Sequence, residues 1–405
     1  MKHEWWKRAQ NCIAQGALTN SKHPESLVYG LYPTHVKSGH GCYLYDSGDR
    51  RYIDFICGLG ANFFGYGAEP INKVVLAAIY GGVSHSLPTV HEVECAEALK
   101  TVFPFVDAFK FVKTGSEACS ASVKIARQYT GRSKVLSEGY HGHADIFVSL
   151  SDPAGGVTDK HDIVKLIDLE QIDRETACVI VEPVMTVYDT ARIEWLKSLR
   201  AKCTEMGAVL IFDEIITGFR YEKFGVSNRY NIIPDLICIG KAMANGFPLA
   251  AVGGKYALMN DDQYFVSSTY AGDVISLIAC KEVVRLLHTS HHYDINHLHK
   301  TAMEFQTSLN EMLPEGMYIE GYGTRGAFKG DEETIALFMQ GMGKADILFC
   351  KSLFFNFPLI AQVENVLNAA QGVCDKISRG QVKLEYPMPK SPFAEKVRND
   401  RHKLS

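Results

Sequence analysis

Two residues, each placed just after an apolar run, could do covalent chemistry together. Ala208-Val-Leu-Ile-Phe ends at Asp213, and Leu236-Ile-Cys-Ile ends at Gly240-Lys241. A lysine withdrawn from water loses basicity, and its free amine attacks carbonyl groups. A carboxylate can keep a proton on a pyridine nitrogen, which turns the ring into an electron sink. Each residue alone also has a plainer reading, Lys241 as a solvated loop lysine and Asp213 as the cap of a following helix. A third piece is Thr114-Gly115-Ser116-Glu117-Ala118, which joins a strand to a helix. The free N–H groups and dipole of a helix start hold phosphate, and glycine lets the backbone approach closely. The same Gly-Ser also serves as a simple N-cap. Tyr140 either packs in a core or lies flat against a cofactor ring, with Ile215 on the opposite face. A phosphate cradle, a ring sandwich, a pyridinium acid and an amine nucleophile are the parts needed to hold pyridoxal phosphate.

The elements that must position these residues follow from the apolar pattern. The runs 208–212 and 236–239 are apolar throughout, as strands of a parallel sheet buried on both faces are. Three more runs share the format of a short strand that delivers polar or glycine residues at its end. Phe109-Lys-Phe-Val leads to Lys113-Thr-Gly-Ser, Lys134-Val-Leu to Glu138-Gly-Tyr-His-Gly-His, and Ala177-Cys-Val-Ile-Val to Glu182-Pro183. Open parallel sheets bind ligands at the carboxyl ends of their strands, so five such ends imply one shared cleft. Before this layer, residues 1–40 read as a helix and an irregular arm. Gly41 to Phe55 reads as a hairpin turning at Ser47-Gly48-Asp49. After about residue 275 helical patterns dominate, with a strand or two near 316–340 and a polar tail.

Composition narrows the class. The chain has 405 residues, 46% hydrophobic and 22% charged, which is enough for a large core in two or three lobes. A net charge of −4 with both signs mixed gives no electrostatic case for nucleic acid or an anionic membrane. No run reaches membrane-span length, and no apolar segment follows the charged start, so a secretory signal is not expected. The 11 cysteines are scattered with no Cys-x-x-Cys pair, as expected of reduced thiols in the cytoplasm. Cys178 and Cys238, inside apolar runs, are expected to fill core.

The assembled pieces resemble the class III, fold type I pyridoxal-phosphate-dependent aminotransferases, and most of all the glutamate-1-semialdehyde 2,1-aminomutase branch. The matching stretches are Gly41 to Phe55, Pro88-Thr89 with Glu92, Thr114 to Ala118, Ala126 to Arg132, Tyr140-His-Gly-His, Val181-Glu-Pro-Val, Phe212 to Arg220, Pro234 to Pro248 and Ser268-Thr-Tyr. They run in family order over roughly residues 30–280. The resemblance implies an α/β fold with a mostly parallel central sheet flanked by helices. It divides the chain into an arm and hairpin over 1–55, a cofactor-binding domain over 56–280 and a smaller lobe over 281–405, the first and last forming an α+β lobe. It implies that Lys241 forms the Schiff base and shuttles a substrate proton, and that Asp213 pairs with the pyridine nitrogen. Gly115 and Ser116 would donate backbone N–H groups to the phosphate. Tyr140 would stack on the ring, Ile215 back it, and Glu182 lie on its oxygen side. Thr269 would reach the phosphate of a neighbouring subunit, which implies a homodimer. The partners implied are an amino donor and a carbonyl acceptor. The aminomutase itself is the alternative, and a non-catalytic protein that keeps the fold is a third.

Three departures concern substrate. The aminomutase branch carries an arginine in its N-terminal arm, and this chain has no arginine between Arg8 and Arg50. Met185-Thr186 replaces the branch's Gly-Asn, and Ser352-Leu-Phe-Phe-Asn-Phe-Pro lacks its acidic gating residue. These favour an aminotransferase with a different donor or acceptor. Two further signals are set aside. Gly321-Tyr-Gly-Thr-Arg-Gly326 fits Gly-x-Gly-x-x-Gly, but no helix pattern follows, so a turn is expected. The histidines at 288, 291, 292, 297 and 299 read as a polar helix end, and no metal is expected there.

Overall fold

A computed structural model of the chain describes residues 4–148, 163–186, 189–261 and 263–391; the polar tail beyond Ser391 lies outside the described residues. Its centre is a seven-stranded sheet. The strands are β4 (Ala108–Val112), β5 (Lys134–Glu138), β6 (Ile163–Lys165), β7 (Thr176–Val181), β8 (Val209–Asp213), β9 (Leu236–Ile239) and β10 (Ala250–Gly254), in spatial order β4-β10-β9-β8-β7-β5-β6. From β6 to β9 all neighbours are parallel, whereas β10 runs antiparallel to both β9 and β4. Because β10 reverses once, β4 points the same way as β9. The five strands that end in chemistry, β4, β5, β7, β8 and β9, therefore open on one edge.

The apolar runs become these strands because the sheet is covered on both sides. Every residue of β7, β8, β9 and β10 is buried. Along β8, Val209 and Ile211 face one core with Ala118 and Val123 of the helix Gly115–Thr130. Leu210 and Phe212 face another core with Leu196 and Leu199 of the helix Thr190–Met206. This two-residue alternation is that of a strand between two helical layers. Cys178 and Cys238 are fully buried, and all 11 cysteines are free thiols.

The first and last parts of the chain share a second structure. Strands β1 (Val36–His40), β2 (Tyr43–Asp46) and β3 (Arg51–Asp54) form an antiparallel meander, with the expected turn between β2 and β3. Late in the chain come β11 (Met317–Tyr322), β12 (Arg325–Gly330), β13 (Ile347–Leu348) and β14 (Ser352–Phe354). Strand β13 adds to β3 in parallel, with Ile347 opposite Ile53, while β11, β12 and β14 make a separate antiparallel sheet. Phe55 fastens the two segments. Its ring stacks on Phe349 at 4.6 Å and Phe305 at 5.3 Å, and its carbonyl accepts from Phe354 N at 2.9 Å. Helices Val274–Thr289, Ile295–Met312, Glu332–Lys344 and Val363–Ser378 complete the C-terminal part. The first of them continues through residue 280. Gly321–Gly326 forms the β11–β12 hairpin turn, with Tyr322 opposite Arg325. Among the described residues, no helix is long and apolar enough to cross a membrane.

One buried carboxylate, Glu214, pins the segment after β8. It accepts from Val226 N at 2.8 Å, Ser227 N at 2.9 Å, Ser227 Oγ at 2.6 Å and Thr217 Oγ1 at 2.7 Å. Glu214→Ala would leave two buried N–H groups without an acceptor and open a cavity. We expect it to cost roughly 3–5 kcal/mol, read from the midpoint of a urea unfolding curve.

Candidate active site

Asp213 ends β8 and is buried at 5% exposure. Its Oδ1 accepts from Ile215 N at 3.1 Å. Its Oδ2 lies 2.7 Å from His141 Nδ1 and accepts from the Cys119 thiol at 3.3 Å. The other His141 nitrogen, Nε2, faces the Glu138 carbonyl at 3.1 Å. Carbonyl and carboxylate oxygens only accept, so both ring nitrogens are placed to donate and the imidazole is clamped between β5 and β8. Asp213, Cys119 and His141 are close enough to suggest ligands for a metal, their ligand atoms lying within 4.8 Å of one another. Here hydrogen bonds join them into a fixed mount for the carboxylate.

Lys241 follows β9 through Gly240 and opens a short helical turn, Lys241–Ala244. Its φ is 46°, a left-handed conformation that a non-glycine residue adopts only when its surroundings enforce it. Asn245 provides that enforcement. Its Oδ1 accepts from Phe64 N at 2.8 Å and its Nδ2 donates to Gly65 O at 3.1 Å, so the turn is tied to the Gly58–Gly67 loop. Lys241 is half-buried, with its amine packed round by protein. That burial lowers its pKa to about 8, with Arg325 and Arg220 pushing the same way and Asp213 and Glu182 against.

The helix Gly115–Thr130 starts at the end of β4. Thr114 Oγ1 accepts from Glu117 N at 3.2 Å, and Glu117 Oε2 accepts from Lys113 N at 2.9 Å and Thr114 N at 2.8 Å. This capping box fixes where the helix begins and leaves the N–H groups of Gly115 and Ser116 in its first turn, where no intrahelical acceptor exists. The Ser116 hydroxyl has a separate task. It accepts from His143 N at 3.0 Å and Ala144 N at 3.1 Å, holding the loop after β5 against the helix start. In that loop Gly139 has φ 111°, and Tyr140 N donates to Glu182 Oε1 at 2.9 Å. Glu182 is buried, and desolvation raises its pKa.

The structure therefore brings Lys241, Asp213, Ile215, Glu182, Tyr140, Gly115 and Ser116 to one edge of one sheet. Ile215 is buried between the phosphate cradle and the lysine turn. A Cβ built on Gly115 would meet it at 3.0 Å, as would one on Gly240. Tyr140 is 55% exposed. Thr269 is exposed, and its neighbour Ser268 shares a cavity of about 320 Å³ with Thr114, Ser116 and His143. The donor set fits pyridoxal phosphate: first-turn N–H groups kept open by glycine for the phosphate, a buried acid for the ring nitrogen, and an amine of lowered basicity for the aldehyde.

Sequence reading did not assign His141 or Arg325. The first lay in the quoted Tyr140-His-Gly-His motif. The second lay in the glycine-patterned turn and now places Nη1 3.8 Å from Glu182 Oε2. The five clustered histidines do not share one environment: His288 Nε2 lies 3.2 Å from Thr101 Oγ1, while His299 is buried edge-on to Tyr221.

Comparison with known proteins agrees with this geometry. The family model of the class-III aminotransferases matches residues 29–165 and 157–336. The glutamate-1-semialdehyde 2,1-aminomutase of Francisella philomiragia is 34% identical over 278 residues, 61% of this chain and 64% of that protein. The chain thus covers less than two thirds of the length of that curated relative. Among solved structures, the FumI protein of Sphingopyxis sp. MTA144 superposes with a TM-score of 0.85 at 22% identity, covering 94% of this chain and 97% of that one. A β-phenylalanine aminotransferase of Variovorax paradoxus gives 0.81 at 23% identity, covering 96% of each. These structural likenesses show a shared fold, and the family match extends from the hairpin through every residue of the site. The chain belongs to the class-III aminotransferase family.

Proposed function

We propose that this chain is a pyridoxal-phosphate-dependent aminotransferase, moving an amino group between an amino donor and a carbonyl acceptor. The observation that carries the reading is an amine of lowered basicity, Lys241, at the end of β9, beside the buried Asp213 at the end of β8. When bound, the cofactor supplies an aldehyde that takes up amines and a ring that withdraws electrons. Lys241 would supply the amine that holds the cofactor's aldehyde and, when free, the base for the proton on the substrate carbon that bears the amine. Asp213, fixed by His141 and the Ile215 N–H, would keep a proton on the ring nitrogen. Gly115 and Ser116 would hold the phosphate, Tyr140 and Ile215 would cover the ring, and Glu182 would lie beside its oxygen.

The lysine sets a pH dependence. Below its pKa of about 8 the ammonium form dominates, and the reactive fraction falls tenfold per unit. The rate at which cofactor-free protein takes up pyridoxal phosphate, followed by its visible absorbance, should climb with pH and level off near 8. A climb continuing toward the ordinary lysine value of 10.5 would contradict the assignment.

The intramolecular alternative is favoured by the similarity to the aminomutase. The arm without an arginine between Arg8 and Arg50 weighs against it. Conversion of glutamate-1-semialdehyde to 5-aminolevulinate would establish the alternative, and its absence would remove it. A protein that stays colourless with added pyridoxal phosphate would be a non-catalytic relative.

The proposal includes a homodimer in which Thr269 reaches the partner's phosphate. In support, Val74, Ala77, Ala78, Val90, Val274 and Ile278 line an apolar groove of about 980 Å³, and Leu76, Tyr80, Leu87 and Val93 of the same stretch of chain are exposed. Val274 N donates to Val83 O at 2.9 Å, tying the chain just past Thr269 to this face. The absence of disulfide pairing among 11 cysteines supports a cytoplasmic location.

A further inference from the structure

We propose that Arg192 is a positioning residue for the cofactor site, clamping the end of β5 to the end of β7 and so fixing the backbone from which Tyr140, His141 and Glu182 act. The proposal rests on the aminotransferase reading and deepens it by naming a residue that acts on the site through other residues.

Two neighbouring parallel strands reach the site at adjacent ends. Strand β5 stops at Glu138, and the loop after it carries Tyr140 and His141, while β7 leads into Glu182. Arg192, in the first turn of the helix Thr190–Met206, reaches both ends. Its Nη1 and Nη2 donate to Glu138 Oε1 and Oε2, each at 2.9 Å, the paired fork of a guanidinium on one carboxylate. Nη2 also donates to Glu182 O at 2.8 Å, and Nε donates to Pro183 O at 2.9 Å. The link continues into the site. The Glu138 carbonyl accepts from Glu182 N at 3.1 Å and faces His141 Nε2 at 3.1 Å, and the other nitrogen of that ring lies 2.7 Å from Asp213 Oδ2. Glu182 Oε1 in turn accepts from Tyr140 N at 2.9 Å.

The helix itself does not ask for an arginine here. Asp189 Oδ1 accepts from Arg192 N at 2.8 Å and caps the helix, which puts the cation in the first turn, where the helix dipole disfavours positive charge. Only 14% of the Arg192 side chain and 23% of the Glu138 side chain are exposed, so water does not screen this pair as it does an open surface pair. The guanidinium also lies over the Trp195 ring, 4.4 Å from its centre, which fixes its direction. Arg200, two turns further along the same helix, gives the contrast. Its Nη1 donates to Asp235 Oδ2 at 2.7 Å, and Asp235 precedes β9, at the edge of the sheet away from the site. One helix thus carries two arginine–carboxylate pairs, and only the first braces the strand ends that hold chemistry.

The test compares full-length wild-type protein with Arg192→Ala, Arg192→Lys and, as the control, Arg200→Ala. The first measurement needs no cofactor. Hydrogen–deuterium exchange of the amides over residues 139–144 should speed up roughly tenfold in cofactor-free Arg192→Ala and stay at the wild-type rate in Arg200→Ala. The second uses added pyridoxal phosphate. Arg192→Ala should bind it about 10-fold more weakly, show less visible circular dichroism per bound cofactor and lose about 10-fold in kcat, because the groups that orient the ring are no longer held in place. Arg192→Lys, which keeps charge without the fork, should fall between, and it carries the same test if the alanine variant does not fold. Adding Glu138→Gln to Arg192→Ala should deepen neither effect, since the two residues act as one unit. Unchanged exchange over 139–144 in Arg192→Ala, the same changes in Arg200→Ala, or additive losses in the double variant would overturn the assignment. Failure of the aminotransferase reading would show separately, as absence of a visible absorbance band in loaded wild-type protein, and would leave the exchange result standing.

Discussion

Replacing Lys241 with alanine should lower the rate of amine transfer by at least about 10³-fold, because it removes both the nucleophile and the base. The loss should not come from unfolding. Lys241 makes the left-handed turn after Gly240, but that turn is secured by Asn245 through Phe64 N and Gly65 O, which the substitution leaves in place. A buried ammonium is also disfavoured, as its lowered pKa records, so truncation removes that cost below pH 8. Thermal unfolding of Lys241→Ala should therefore occur at or above the wild-type temperature while turnover disappears. Lys241→Arg should be equally inactive, since a guanidinium stays protonated and cannot attack a carbonyl.

Asp213→Asn should lower kcat on the order of 10²-fold or more with little change in KM. Asparagine fills the same volume and can still accept from Ile215 N. It cannot supply the negative charge that keeps a ring nitrogen protonated. It also disturbs His141, whose Nδ1 lies 2.7 Å from Asp213 Oδ2 and whose Nε2 is already committed to the Glu138 carbonyl. Measured against Lys241→Ala, the distinction is spectroscopic. Asp213→Asn should still take up pyridoxal phosphate and show a visible band, shifted or weakened, because Lys241 remains. A variant with unchanged kcat would remove Asp213 from the ring-nitrogen role.

Much of this arrangement was legible before any coordinates because parallel strands buried on both faces leave an unmistakable pattern. The runs 208–212 and 236–239 became β8 and β9 within one residue, and the polar residues after them could only emerge at the strand ends. Strand β10 was missed because Ala250-Ala-Val-Gly-Gly is built of small residues, chosen for close packing against β4 and β9. Strand β13 was missed because two residues carry no periodicity, and only pairing with β3, almost three hundred residues earlier, makes them a strand. Contacts between distant segments are invisible for the same reason. His141 meets Asp213 across 72 residues, and Arg325 approaches Glu182 from another sheet. The glycine pattern at 321–326 reads as a turn and forms one, and nothing in its spacing marks the arginine inside it. Thr269 marks a different boundary, since the partner it is expected to meet belongs to a second copy of the chain.

The central claim is that the Lys241 amine is where the cofactor attaches. Full-length protein incubated with pyridoxal phosphate, reduced with borohydride and digested for peptide mass spectrometry tests it directly. The account predicts a phosphopyridoxyl group on the peptide containing Lys241, and none there in Lys241→Ala. A label distributed over surface lysines, on Lys113, or on no lysine would contradict it.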